Sequence, residues 1–283
     1  MFRKLTPILV ALALILSACS LPEGLPIATN AATTTDPVNI PLPADPTQTT
    51  NLKLSFGAGT LNLSPGAASL LDGTAAYNIP DLKPEIIIEG NNVHITQGNY
   101  QFRIIPDLTN IKNEWDFQLG AVPLDLKIEG GAYEAAYVLG GLGLINLTIK
   151  DGASKVSLSF DQPNPLDMNL LRYETGASDV SIIGLGNANF AAMEFKSGAG
   201  NYKLDFTGEW RRAASVNIGT GVSNLTLVIP QGIPIQLTLE KALANVTLAS
   251  GWTQNGTVYT QAGTGPQLVI VVEIGAGNLI LTR

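Results

Sequence analysis

One cysteine and one histidine, Cys19 and His94, are all that 283 residues contain of these types. A single thiol forms no intramolecular disulfide, and neither a Cys-rich metal site nor an imidazole-based zinc site can be assembled. Charge is sparse as well: Asp, Glu, Lys and Arg make up 14% of the chain. The formal charge of −7 becomes −9 if a leader carrying Arg3 and Lys4 is removed. A nucleic-acid footprint needs clustered Lys and Arg, so nucleic acid is excluded as a partner. Aromatic residues reach only 6%, while 29 glycines and 17 prolines accompany abundant Asn and Thr, a composition that points away from helices. The hydrophobic 45%, mostly Leu, Ile, Val and Ala, suffices for a core.

What is present begins with an address. Met1-Phe-Arg3-Lys4 is a short cationic start, an apolar stretch runs from Leu5 to Leu16, and Leu16-Ser17-Ala18-Cys19 resembles a bacterial lipobox. The stretch is short for a bilayer span and reads as a signal peptide over residues 1–18. The lipobox resemblance implies cleavage before Cys19 and diacylation of its thiol. Each buried CH₂ contributes about 0.8 kcal/mol, and two chains give stable anchoring. The expected location is the cell envelope, facing away from the cytoplasm. Ser20, rather than the Asp associated with inner-membrane retention, directs the expectation to an outer membrane where the cell has one. Residues 19–50 carry Pro22, Pro26, Pro37, Pro41, Pro43 and Pro46, and read as a disordered tether reaching roughly 30 Å.

Beyond the tether a phrase recurs: Gly or Ala, three residues, then apolar side chains at alternate positions. It stands at Gly152 with Val156, Leu158 and Phe160; at Gly176 with Val180 and Ile182; and at Gly198 with Tyr202, Leu204 and Phe206. It returns at Gly221 with Leu225, Leu227 and Ile229, at Ala242 with Val246 and Leu248, and at Gly275 with Leu279 and Leu281. Successive gaps up to Ala242 are 24, 22, 23 and 21 residues, a period typical of stacked repeats. A second alternating run precedes several corners, as in Pro123 to Ile128, Pro165 to Leu170 and Pro234 to Leu239. The expected fold is all-β: a parallel β-solenoid with coils of 21–24 residues, each made of corner, strand, turn and strand. Val156, Val180, Tyr202 and Leu225 should form one internal ladder. A less regular β region is expected over 51–120 and the repetitive solenoid over 121–283. Asn255-Gly256 signals a type I′ hairpin near 250–261 that caps the last edge, with Trp252 and Tyr259 packing across it.

Leu54-Ser-Phe-Gly57-Ala-Gly59-Thr-Leu-Asn-Leu63, Pro123-Leu-Asp-Leu-Lys-Ile-Glu-Gly-Gly131-Ala132 and Gly275-Ala-Gly-Asn-Leu-Ile-Leu together resemble the toast-rack family. These are bacterial envelope proteins related to the C-terminal domain of LiaF-type cell-wall-stress proteins. The resemblance spans residues 52–283 and implies β-solenoid character without catalytic residues. It also implies an accessory role towards a membrane sensor kinase, although LiaF-like relatives carry transmembrane helices.

Chemistry is hard to find. His94 sits in an alternating strand with no nucleophile or orienting acid nameable beside it. Gly140-Gly-Leu-Gly143-Leu-Ile145 has Ile where a calcium β-roll needs Asp. Gly57-Ala-Gly59 and Gly184-Leu-Gly186-Asn-Ala-Asn189 lack the third Gly of a dinucleotide loop and follow the repeat, so they read as solenoid corners. Asp205 with Glu209, and Asp116 with Asp125, are unremarkable carboxylate pairs. The one polar cluster that stands out is Trp210-Arg211-Arg212, read either as snorkelling arginines in a loop or as a contact for an anionic ligand or partner. No catalytic residue, metal or cofactor is expected. The sequence points to a non-enzymatic, lipid-anchored envelope module with an envelope protein or glycan as partner. A signalling accessory and a glycan-binding or polysaccharide-active β-helix are the alternatives. A glycan binder should expose a row of Tyr or Trp along one face.

Overall fold

The structure, a computed structural model, describes residues 32–98 and 111–283. Its strands are long because apolar and polar residues alternate without interruption on either side of each corner. The first six are β1 (Thr34–Ile40), β2 (Thr50–Ala67), β3 (Leu71–Tyr77), β4 (Pro84–Glu89), β5 (Asn92–Gln97) and β6 (Asn113–Gly120). The long rungs follow: β7 (Leu124–Val138), β8 (Leu144–Ser159), β9 (Met168–Ile183), β10 (Phe190–Asp205), β11 (Ala214–Val228) and β12 (Ile235–Leu248). A hairpin of β13 (Thr253–Asn255) and β14 (Val258–Gln261) precedes the final rung, β15 (Leu268–Thr282).

Each rung carries its corner in mid-strand. In β8, Leu147, Ile149 and Asp151 are buried, Gly152 to Lys155 are not, and burial resumes at Val156 and Leu158. The buried set passes from odd to even positions across the corner, so one ribbon bends and turns both halves to the same interior. Ring contacts confirm that the halves face each other: Phe195, before the corner of β10, lies 5.3 Å from Tyr202 after it. Phe56 meets Trp115 edge-on at 4.9 Å. The expected ladder is present, since Val156 pairs with Val180, Val180 with Tyr202, and Tyr202 with Leu225. It continues through Leu279 to Val246, and its members from Val156 to Leu279 are at most 3% exposed.

A column of glycines makes the bend possible. A Cβ on Gly176 would lie 2.5 Å from the Gly152 carbonyl oxygen, one on Gly198 2.6 Å from that of Gly176, and one on Gly221 2.5 Å from that of Gly198. Hydrogen bonding holds adjacent strands about 4.8 Å apart, which leaves no room there for a side chain.

The rungs run β2-β7-β8-β9-β10-β11-β15-β12, all parallel. The Gly275 rung therefore lies between those of Gly221 and Ala242, and the chain order of the repeats is broken at the end of the stack. The hairpin makes this possible: β14 pairs antiparallel with the start of β12, and the chain then returns on the inner side of β12.

Three further expectations need correction. The tether expected over residues 19–50 contains a strand, Thr34–Ile40, paired antiparallel with β3 from Thr34↔Tyr77 to Ile40↔Leu71. Burial of Val38 and Ile40, with Asp36 accepting from Tyr77 at 2.7 Å and pairing with Lys83 at 3.0 Å, outweighs the proline-rich composition. The hairpin turn is centred on Gly256-Thr257, because Asn255 pairs with Val258. Positive φ occurs at Gly256 alone, the pattern of a type II′ rather than a type I′ turn. Trp252 lies outside the paired stretch, where Gln254 faces Tyr259, and its ring receives the Arg283 guanidinium 5.5 Å from its centre. In the N-terminal region β4 and β5 form a hairpin, and β5 lies along the first half of β2. β6 lies along the second half of β2 and carries β3, which carries β1. Residues 1–31, with the signal peptide and Cys19, lie outside the described residues.

Candidate interaction surface

Bending each rung inward leaves two outward faces, one on each side of the corner, and strict register lines up their polar side chains in rows. On the first face Glu129, Lys150, Glu174 and Lys196 are successive neighbours, alternating in sign. Lys150 and Glu174 pair at 2.8 Å, and Arg172 reaches Glu194 at 3.0 Å and Glu174 at 3.7 Å. Glu129 binds Lys127 at 2.6 Å and Lys53 at 2.7 Å. These two ammonium groups, through hydrogen bonds first and charge second, pull the Glu129 carboxyl down to about 2. His94 sits at this end on β5, its Nε2 2.9 Å from Ser55 Oγ. Burial, then the neighbouring Lys53 charge, lowers its pKa, so the ring favours the neutral form.

The second face carries amides. Asn201 Nδ2 donates to Asp179 at 2.7 Å, Asn224 to Asn201 at 2.9 Å, Asn278 to Asn224 at 2.7 Å, and Asn245 to Asn278 at 3.3 Å. Every amide donates in the same direction, and the chain of donors ends on a carboxylate, the strongest acceptor available. The neighbouring row, Ser157, Ser181, Lys203 and Thr226, shares with this ladder a shallow groove of about 640 Å³.

Among the described residues the interior holds one carboxylate, Asp151, 9% exposed. Its Oδ2 accepts from Tyr173 at 2.8 Å and Tyr133 at 3.2 Å, and Tyr137 donates to Tyr133 at 3.2 Å. Burial raises all three phenol pKa values, well above the usual range for Tyr137 and Tyr173, so the hydroxyls remain protonated donors. Asp151 occupies an inward position, in phase with Leu147 and Ile149, and that phase was the signal by which the sequence could have revealed it.

Trp210, Arg211 and Arg212 lie between β10 and β11 and hold that connection in place. The Trp210 indole donates to Phe206 O at 2.8 Å and meets Phe190 edge-on at 5.6 Å. Arg211 donates to the Asn164 carbonyl, and Arg212 lies 3.6 Å from Asp167. Gly184 to Asn189, read as a corner, is instead the connection between β9 and β10, with left-handed backbone at both ends of a short 3-10 turn. Of the carboxylate pairs, Asp205 caps the Thr207 backbone and hydroxyl, and Asp125 accepts from Asn146. Among the described residues no group of three or more His, Cys, Asp or Glu side chains is placed to hold a metal. The described tyrosines are all buried, and among the described residues neither face bears the aromatic row of a glycan-binding groove.

Comparison with known proteins agrees with this architecture. A family profile described as the N-terminal domain of toast_rack, DUF2154, matches residues 29–170, half of the chain. No curated protein sequence matches. A candidate cell adhesion protein from Clostridium sporogenes ATCC 15579 superposes with a TM-score of 0.50 at 20% identity, over 89% of this chain and 99% of that one. A candidate adhesin from Bacteroides fragilis NCTC 9343 superposes with a TM-score of 0.41 at 10% identity, over 90% of this chain and 99% of that one.

Proposed function

Because the chain belongs to the toast-rack family through this N-terminal domain, we propose that it is a non-catalytic interaction module, held at the cell envelope by acyl chains on Cys19. The observation that carries this reading is how the polar side chains are arranged. Acid–base and nucleophilic chemistry needs groups that converge on one substrate atom. Here the outward groups pair sideways, rung to rung, and spread charge and amides along a strip. The interior carboxylate is enclosed by tyrosines. A regular strip suits an extended partner contact, and the fold shared with a candidate cell adhesion protein fits that role.

Metabolic labelling with a radioactive fatty acid, combined with photo-crosslinkers at Ser181 and Lys203, tests the proposal in intact cells. Label on the native chain but not on Cys19→Ala, and crosslinks from the groove to an envelope protein or glycan, are the expected outcomes. An unlabelled chain in the soluble fraction, or no crosslink from either position, contradicts it.

A further inference from the structure

The two halves of the last rung are treated differently. The first half of β12 is covered by β14 from Ile235 to Thr238, and Leu239 N–H donates to Thr257 O at 2.9 Å. From Leu243 to Leu248 the strand pairs with β15 on one side, and among the described residues no strand pairs with the other. Its inward side chains show the consequence. Ala244, Val246 and Leu248 are only partly buried, whereas Leu279 and Leu281, one rung inside, are 0% and 2% exposed. At the corner Leu243 stands 82% exposed.

Unpaired edges are usually blunted by charge, proline or bulges. The opposite end of the stack follows that rule: β1 carries Pro37 and the Asp36–Lys83 ion pair, and the β4 edge has Glu85 and Glu89 on either side of its three isoleucines. Leu243-Ala-Asn-Val-Thr-Leu248 contains neither charge nor proline. On a chain of net charge −7, this neutral strip is a place where two copies can approach without like charges opposing.

We propose that the second half of β12 is a homodimer interface, in which two copies pair antiparallel about a twofold axis near Asn245 and Val246. Antiparallel pairing of a strand with itself is self-complementary and closes after two copies. A register that keeps inward side chains inward sets Ala244 opposite Val246 or Leu248 of the other copy, which buries the half-exposed row. With Ala244 opposite Val246, Asn245 faces its own copy; it already donates to Asn278, and its side-chain carbonyl can accept from the matching amide, continuing the ladder into the second stack. The blunted β1 edge disfavours head-to-tail stacking, so the assembly is a tail-to-tail dimer and not a filament.

Sedimentation equilibrium of the full chain carrying Cys19→Ser, which removes the acylation site, reads the assembly directly. A concentration-dependent dimer is expected. Leu243→Lys with Thr247→Lys, both at exposed positions, should weaken it at least tenfold while far-UV circular dichroism, and melting at dilutions where both chains are monomeric, stay unchanged. Ile87→Lys on the β4 edge should leave it intact. A monomer at 100 μM (roughly the upper range of such a measurement), a dimer indifferent to the double lysine variant, or a dimer lost through Ile87→Lys would each overturn the proposal.

Discussion

Gly198→Ala should destabilise the stack through a single contact. The new Cβ would sit 2.6 Å from the Gly176 carbonyl oxygen, against the 3.4 Å at which ordinary contact begins. About 0.8 Å must be found, and the obstacle is backbone whose flanking residues, Thr175 and Ala177, are held in the ladders of β9, not a side chain that can rotate away. Overpacking of this kind costs about 1–3 kcal/mol, while the narrower unfolded ensemble of alanine returns about 0.4–1 kcal/mol. The net loss should be about 1–2 kcal/mol. Gly219, on the next rung, is the matched control, because its added Cβ meets nothing within 4 Å and its φ is not positive. There Gly→Ala should be neutral or stabilising by up to about 1 kcal/mol. Urea unfolding followed by far-UV circular dichroism measures both, with the slope checked for constancy. The melting temperatures should differ by about 2–12 °C, at roughly 2–4 °C per kcal/mol for a folded region of this size. Equal midpoints for the two variants would refute the claim that carbonyl contact reserves the corner for glycine.

Asp151→Ala should cost about 2–4 kcal/mol in the same assay, because it leaves the Tyr133 and Tyr173 hydroxyls without their buried acceptor; Asp151→Asn, which keeps an acceptor, should cost less than half as much. Glu129 contributes stability above the unfolded carboxyl pKa of 4.5, and that contribution is lost as pH falls towards its folded value of about 2. Since the pair is about one-third exposed, the effect should stay below about 1 kcal/mol, visible as a loss between pH 5 and pH 2 (roughly) in the native chain that Glu129→Gln does not show. Asn201→Asp sets two carboxylates side by side with Asp179. It should destabilise by about 0.5–1 kcal/mol at neutral pH, with denaturation midpoints converging on the native value once both groups are protonated.

The inward ladder was legible because the period-two alternation of Val156, Val180, Tyr202 and Leu225 is set by burial, and burial on one face is what fixes register. The place of the last rung was not. The phrase at Gly275 matches either neighbour equally well, with Asn278 opposite both Asn224 and Asn245, so local pattern cannot tell which side of β12 it takes. Thr34–Ile40 was hidden by composition: Thr and Pro read as tether, while only Val38 and Ile40 face the core. Asp151 was hidden by the opposite habit, since an acidic residue beside a corner is taken as outward. The Trp210-Arg211-Arg212 cluster was visible as a cluster, but its partners are Phe206, Asn164 and Asp167, whose proximity depends on how the connections between rungs fold over one another.

The most direct test of the account is a series of spin-label distances along one outward row. From a label replacing Ser157, the positions of Thr226, Ile280 and Thr247 lie three, four and five rungs away. With about 4.8 Å per rung, backbone separations should increase through roughly 14, 19 and 24 Å, with Thr247 farther than Ile280. A distance to Thr247 shorter than that to Ile280, or three values with no regular increment, would contradict the parallel stack and its inserted final rung.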